Sequence, residues 1–262
     1  MLSMMADSAA ILTNVSKTSI TIANAWQAPA IIGERFRDVI ARHGNCTLAA
    51  CPCWIEGPAA VIRTKVDTLF KQCCAFHLQF FPDGEALSKL CNLQDRIERD
   101  SDAPLSRVPA KSLHMTVVTL VNAAAQFSIP NDEVWKLNGE RWKEIVERLV
   151  EETPPFELHF HEVAASEAAV FVKAEEPPEL RRLRSAISHA ICFEQWCPTP
   201  PRIAHITLFR FFAEDRLPAV NFDAGLLPTG LKVGSLKLLE ERVYPSVEIN
   251  ILSEPLLRGK ST

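Results

Sequence analysis

The sequence predicts an α+β fold in which antiparallel sheets are covered by helices. Strand-like runs that alternate apolar and polar residues recur along the chain, and helix-like runs with one apolar face are interleaved between them. No low-complexity tract or long linker divides the two kinds of segment. With 262 residues, 47% of them hydrophobic, the chain can bury one large core or those of two small lobes.

Residues 1 to about 65 are rich in Ala, Thr and Pro and carry one helix-like piece, "IIGERFRDVIARHG", with Ile32, Phe36 and Ile40 on one face and Gly44 as its stop. They read as an N-terminal extension (1–65), ahead of a domain at 66–258 and a tail at 259–262. "CAFHLQFFPDG" reads as a strand running into a turn at Pro82 to Gly84. "EALSKLCNLQDRIERD" follows as a helix with Leu87, Leu90, Leu93 and Ile97 on one side. After the strand "PAKSLHMTVV", a second helix covers "NDEVWKLNGERWKEIVERLVEE", with Asn131 or Asp132 as its cap. "FELHFHEVA" and "AAVFVKAEE" are two strands joined by a Ser-Glu turn. "PPELRRLRSAISHAICFEQW" is a third helix, opened by proline and striped by Leu180, Leu183, Ile187 and Ile191. The strand "PPRIAHITLF" and a closing pair, "LKVGSLKLLEERVY" and "PSVEINILSEPLL", complete the order.

A net charge of −4 and a pI near 6.0 supply no global basic field, which argues against duplex DNA as a partner. No run of eighteen apolar residues could span a bilayer, and the N-terminal stretch has no basic segment leading into a clean apolar one. A cytoplasmic protein with no membrane partner is expected, most simply a monomer. The eight cysteines (46, 51, 53, 73, 74, 91, 192 and 197) then read as reduced thiols. The cluster Cys46, Cys51, Cys53 raises a zinc reading, but it lacks paired CxxC spacing, and no metal site or cofactor is expected.

Two stretches do not fit a packed strand. In "PAKSLHMTVV" and "PPRIAHITLF" a histidine and a threonine stand two apart in an apolar run, each pair with Pro five residues and a base three residues before the histidine: Pro109 and Lys111, Pro200 and Arg202. The arrangement is an internal repeat. On a strand, residues two apart share a face, so His114 and Thr116 point one way while Met115 and Val117 point into the core; His205 and Thr207 do the same against Ile206 and Leu208. If the two strands adjoin, two imidazoles and two hydroxyls converge. Hydroxyls can donate to phosphoryl oxygens while one neutral imidazole acts as base and one imidazolium as acid, both forms being populated near histidine's ordinary pKa. Packing gives no reason for the same pair twice. This geometry also requires both histidine strands to sit centrally, with the two histidines facing one cavity.

The segments "HMTV" and "HITL" resemble the paired signatures of the two-histidine phosphoesterases, among them bacterial RNA 2′,3′-cyclic phosphodiesterases once named 2′-5′ RNA ligases, plant cyclic phosphodiesterases and 2′,5′-oligoadenylate phosphodiesterases. The resemblance covers residues 66 to 258. It implies a bilobal, pseudo-twofold fold whose antiparallel sheets line a central groove, with helices on the outer faces, and metal-independent cleavage of a phosphodiester. His114, Thr116, His205 and Thr207 carry over as catalytic residues, with His114 the base and His205 the acid by analogy. Arg210, where many relatives also carry a base, is a weaker substrate-binding candidate, since strict alternation turns it away from Thr207. Tyr244, the only tyrosine, could stack on a nucleobase or simply precede the turn at Pro245. His159 and His161 have a metal-like spacing without a third ligand and read as a polar face.

The reading is therefore a hydrolase that opens a 2′,3′-cyclic phosphate or cleaves a 2′-5′ linkage, acting on an RNA end or small nucleotide in RNA processing. The alternative is a binding module that holds the same ligand in the same groove without turnover.

Overall fold

The computed structural model describes residues 63–125, 127–192, 196–216, 218, 227–228 and 230–260. The helix expected over 31–44 and Cys46, Cys51 and Cys53 lie outside the described residues. Within them the chain runs β1 (Lys71–Phe80), α1 (Gly84–Asp100), β2 (Leu105–Arg107), β3 (Met115–Val121), α2 (Asn131–Glu151), β4 (Phe156–Leu158), β5 (Phe160–Ala165), β6 (Ala169–Ala174), α3 (Pro178–Ala190), β7 (Ala204–Phe211), β8 (Leu231–Val233), β9 (Lys237–Tyr244) and β10 (Glu248–Ser253). This is the α+β architecture expected from the alternation of elements.

One sheet has the order β10-β9-β1-β3 and the other β2-β7-β6-β5; β4 and β8 form a short pair of their own. All pairings are antiparallel. The repeat seen in the sequence is thus a repeated unit of strand, helix and histidine strand: β1-α1-β3 and β6-α3-β7. Met115, Val117, Ile206 and Leu208 are fully buried, and Thr116 and Thr207 are half-buried on the opposite face, as period-two alternation requires. The expected central placement fails for one of the two strands. β7 lies inside its sheet, whereas β3 ends its own, because the free side of β3 adjoins β7 across the gap between the sheets and its carbonyls are taken by side chains instead of a fifth strand.

Each histidine strand is also bulged, and at the same place. Leu78 pairs with Val118 and Gln79 with Thr116, leaving Val117 as the extra residue of β3. Val170 pairs with Phe209 and Phe171 with Thr207, leaving Leu208 as the extra residue of β7. A bulge breaks the alternation: Val117 and Val118 are both buried, as are Leu208 and Phe209. The residue three past each threonine, Thr119 or Arg210, is thereby returned to the face that carries His and Thr.

The helices are exchanged between the sheets. α1 leaves the first sheet from β1 but packs against β7 of the second; α3 joins β6 to β7 yet packs against β3 of the first. Their apolar stripes explain the docking: Leu90, Leu93 and Ile97 of α1 and Leu180, Leu183 and Ile187 of α3 are buried in one continuous core, each leucine contributing about 1.5–3 kcal/mol by transfer from water. Two details differ from expectation. Asn131 does not cap α2, since its amide donates to the carbonyls of Cys74 and Asn122 and so fixes the entry of the helix from outside. α3 stops at Ala190 instead of continuing to Trp196, whose indole N–H donates to the Leu120 carbonyl of β3.

Candidate active site

The two histidine strands meet at a cavity of about 130 Å³. His114, Thr116, His205 and Thr207 all line it, so the convergence expected from the repeat is present. The space is large enough for a phosphoryl group between the two motifs.

Both rings are held alike. Nδ1 of His114 lies 2.8 Å from the Ser112 carbonyl and Nδ1 of His205 lies 3.2 Å from that of Ile203, in each case the backbone two residues earlier. A carbonyl can only accept, so each Nδ1 carries a hydrogen and each Nε2 is the nitrogen left for chemistry. Each ring also leans on an aromatic neighbour of its own half, Phe81 at 5.7 Å for His114 and Phe171 at 5.4 Å for His205. Burial pushes His114 down to about 4, against the pull of the Ser112 carbonyl and Glu241. Burial also lowers His205, offset by the Ile203 carbonyl and reinforced by Arg210 and Arg184. Both imidazoles are therefore neutral at pH 7 in the free protein, and a proton-donating role needs an anion to enter beside them.

Strict alternation turns Arg210 away from Thr207, yet it lines the same cavity. The bulge at Leu208 reverses the alternation and is the physical reason. Its guanidinium is fixed by Asp67 at 3.2 Å and lies over the Tyr244 ring at 5.4 Å. Its Nε is buried without a protein partner, as is Oγ of Ser112, also at the cavity wall. Two buried donors without partners beside one small cavity are what an anion site provides. Tyr244 lines the cavity too, but its hydroxyl donates to Asp67 at 2.8 Å and one ring face meets Arg210. It braces the arginine, and burial raises its phenol above the usual range. Asp67 is held below the usual carboxylate range: burial opposes this, but the hydrogen bonds from Lys71 and Tyr244 and the Arg210 charge prevail.

Sequence reasoning missed a second polar group on the cavity wall. His77 of β1 contacts Thr119 Oγ1 through Nδ1 at 3.0 Å and Glu241 Oε2 through Nε2 at 3.2 Å. Glu241, buried on β9, also accepts a hydrogen bond from the Ser246 backbone N–H, and the one hydroxyl hydrogen of Ser246 is shared between Glu241 and Gln79. Burial works to raise Glu241, yet His77 and Ser246 hold its carboxyl low. Two polar residues two apart in the apolar run "CAFHLQFF", His77 and Gln79, were the available signal, the same one that marks the two motifs.

His159 and His161 are exposed on the polar face of β4 and β5, opposite buried Phe156, Leu158 and Phe160, as alternation predicts. Among the described residues no group of three or more His, Cys, Asp or Glu side chains is arranged to hold a metal ion. Cys73 and Cys74 are half-buried, and burial pushes the Cys73 thiol up to about 11. Among the described residues no helix is long and apolar enough to cross a membrane.

A family model described as the 2′-5′ RNA ligase superfamily matches residues 86–242, which contain both motifs. No curated protein matches the chain. Among solved structures, the chain is similar to TT0787 of Thermus thermophilus, at 21% identity and a TM-score of 0.49, over 71% of this chain and 100% of that one. It is also similar to E. coli LigT complexed with phosphate, at 17% identity and a TM-score of 0.48, and to the same protein complexed with 3′-AMP, at 18% and 0.47. Both cover 71% of this chain and 99% of LigT.

Proposed function

The chain belongs to the 2′-5′ RNA ligase superfamily of two-histidine phosphoesterases, and from that premise we propose that it hydrolyses a 2′,3′-cyclic phosphate or a 2′-5′ phosphodiester at an RNA end or in a small nucleotide. One observation carries the reading: both His-x-Thr pairs line a single cavity, and both imidazoles are pinned through Nδ1 with Nε2 left to react.

In the proposed step a phosphodiester sits in the cavity with its non-bridging oxygens on the Thr116 and Thr207 hydroxyls and the free N–H of Arg210. Water attacks phosphorus in line. Nε2 of the base histidine takes the water proton, and Nε2–H of the acid histidine protonates the departing ribose oxygen as the P–O bond breaks. His114, the more strongly lowered of the two, suits the base and His205 the acid. A cytoplasmic setting and action on RNA ends belong to the same proposal.

The test is incubation of the full chain with adenosine 2′,3′-cyclic phosphate and with 2′-5′ and 3′-5′ dinucleotides in excess EDTA, with chromatographic identification of products. Hydrolysis of the first or second substrate is expected, since the two imidazoles already supply the proton transfers that a metal-bound water would otherwise provide. No product from either overturns the reading, and loss on chelation with rescue by one divalent ion overturns the mechanism.

The pH dependence has a definite sign. kcat/KM reports the free enzyme, in which both imidazoles are lowered, so its bell should centre below histidine's ordinary 6.5, with the ascending limb near 4 if His114 is the base. A bound phosphodiester anion raises the acid histidine, so the descending limb of kcat should lie at higher pH than that of kcat/KM. A kcat/KM maximum above pH 7 would contradict the burial of the two rings.

A further inference from the structure

Two buried polar side chains on the exchanged helices have no part in the chemistry above. Arg184 of α3, 2% exposed, donates through Nε to the Val117 carbonyl and through Nη2 to the Thr116 carbonyl, both at 2.9 Å, and is charge-balanced by Glu176 at 2.6 Å. Gln94 of α1, fully buried, donates through Nε2 to the carbonyls of Leu208 and Val108, both at 2.9 Å, while its Oε1 accepts from Arg107.

The acceptors are the telling part. Val117 and Leu208 are the bulged residues, each directly after the motif threonine. A bulge leaves its extra residue out of the ladder, so its backbone groups need another partner or cost about 1–3 kcal/mol when buried. At Val117 that partner is Arg184, on the helix that belongs by sequence to the opposite unit. The Leu208 carbonyl already accepts from the Val108 backbone N–H at 3.0 Å, and Gln94, likewise on the opposite unit's helix, adds a second bond to that oxygen and ties it to the Val108 carbonyl. The substitution differs, an amide on one side and a guanidinium on the other, but the acceptor position is the same.

We propose that Gln94 and Arg184 are positioning residues: each reaches from one repeat unit to the bulged carbonyl of the other unit's His-x-Thr strand, and together they set the separation of His114 and His205. This rests on the hydrolytic reading for its effect on rate but not for its effect on the rings. Bulges aim the motif side chains, and a strand with one free edge, such as β3, has no ladder partner on that side to hold its register. A clasp at the bulge fixes it. Acid and base that must reach one phosphorus tolerate little misplacement, since about 1 Å can cost about 100-fold in rate. Arg184 has a second effect that Gln94 lacks. His205 is faced by Arg184 from α3, by Arg210 on its own strand and by Lys173 across the β6 ladder, and Lys173 is paired with Glu162.

The test compares Arg184→Lys, Arg184→Met and Gln94→Leu in the full chain. In Arg184→Lys and Gln94→Leu, kcat on adenosine 2′,3′-cyclic phosphate should fall at least about 10-fold with KM changed less than about 2-fold. The pH limbs of Gln94→Leu should stay in place. In Arg184→Met the loss of a cation should move the His205 titration, followed by imidazole ¹⁵N resonances without substrate, to higher pH. Variants that melt earlier yet keep kcat and both histidine titrations would show a purely structural clasp and overturn the proposal. If Arg184→Met fails to fold, the other two variants still decide it. Should wild type turn over no phosphodiester, the hydrolytic reading fails on its own, and unchanged imidazole resonances in Gln94→Leu and Arg184→Lys would be needed to remove the clasp.

Discussion

Alanine at His114 or at His205 should lower kcat by at least about 100-fold, the usual weight of one general acid or base, with the fold retained. Each ring is attached to the rest of the protein by one bond to a backbone carbonyl and one aromatic contact. Truncation therefore costs stability only on the order of the 1–3 kcal/mol of an unsatisfied carbonyl, which a thermal melt will show as a modest shift. The double variant should be scarcely worse than the poorer single, because acid and base act in one step and the loss of either disables it. Thr116→Ala and Thr207→Ala should be milder, about 0.5–1.5 kcal/mol each or somewhat more towards a charged oxygen. Single-turnover rates on a cyclic nucleotide check all of these together. A soluble histidine variant with full activity, or a threonine effect larger than both histidine effects, would remove the assigned roles.

The second large effect is expected at Arg210. Its guanidinium is the cavity's one cationic side chain other than a histidine among the described lining residues, and hydrogen bonds to charged groups contribute about 1.5–3 kcal/mol each. Arg210→Ala should therefore lower kcat/KM by about 10- to 150-fold. It should also move the descending limb of the pH profile upward, because Arg210 is one of the charges that hold His205 low. Arg210→Lys should restore only part of the loss: lysine keeps the charge but cannot both bind Asp67 and present a second N–H to a phosphoryl oxygen in the guanidinium's planar geometry. Calorimetric titration with inorganic phosphate gives the binding share of the effect separately from turnover. An alanine variant with unchanged kcat/KM and unchanged phosphate affinity would make Arg210 a strut for Asp67 and Tyr244 and nothing more.

Most of this architecture was legible because the signals are local. The four motif residues announce themselves by breaking an apolar run twice in the same way, and the stripes of α1 and α3 foretell which faces are buried. What escaped depends on relations that spacing does not encode. Arg210 was aimed wrongly because a bulge two residues earlier inverts the alternation, and nothing in "HITLFR" marks Leu208 as the extra residue. His77 and Glu241 lie on strands far apart in sequence, and the pair His77 and Gln79 in "CAFHLQFF" has no second copy to set it off, so only its partners reveal it. Gln94 and Arg184 stand among charged neighbours on helices, where a polar side chain ordinarily faces water. β3 was expected inside its sheet because two histidines serving one phosphate suggest that both strands are central; the site needs only that β3 and β7 adjoin, and side chains close the remaining edge of β3.

The sheet order has a further consequence, for how the chain comes together during synthesis. The first sheet needs β9 to flank β1 and β10 to flank β9, the last two strands among the described residues, and the free edge of β3 waits for α3 and Trp196, about 65 to 75 residues downstream. A nascent chain that has emerged as far as β5 thus holds a histidine strand with bare carbonyls and a β1 open on one side, both of them sites for mispairing. Neither repeat unit is a folding unit. Consolidation is postponed until the C-terminal strands arrive, so the domain should form and melt in one cooperative step, and the two histidines acquire their spacing only at its end.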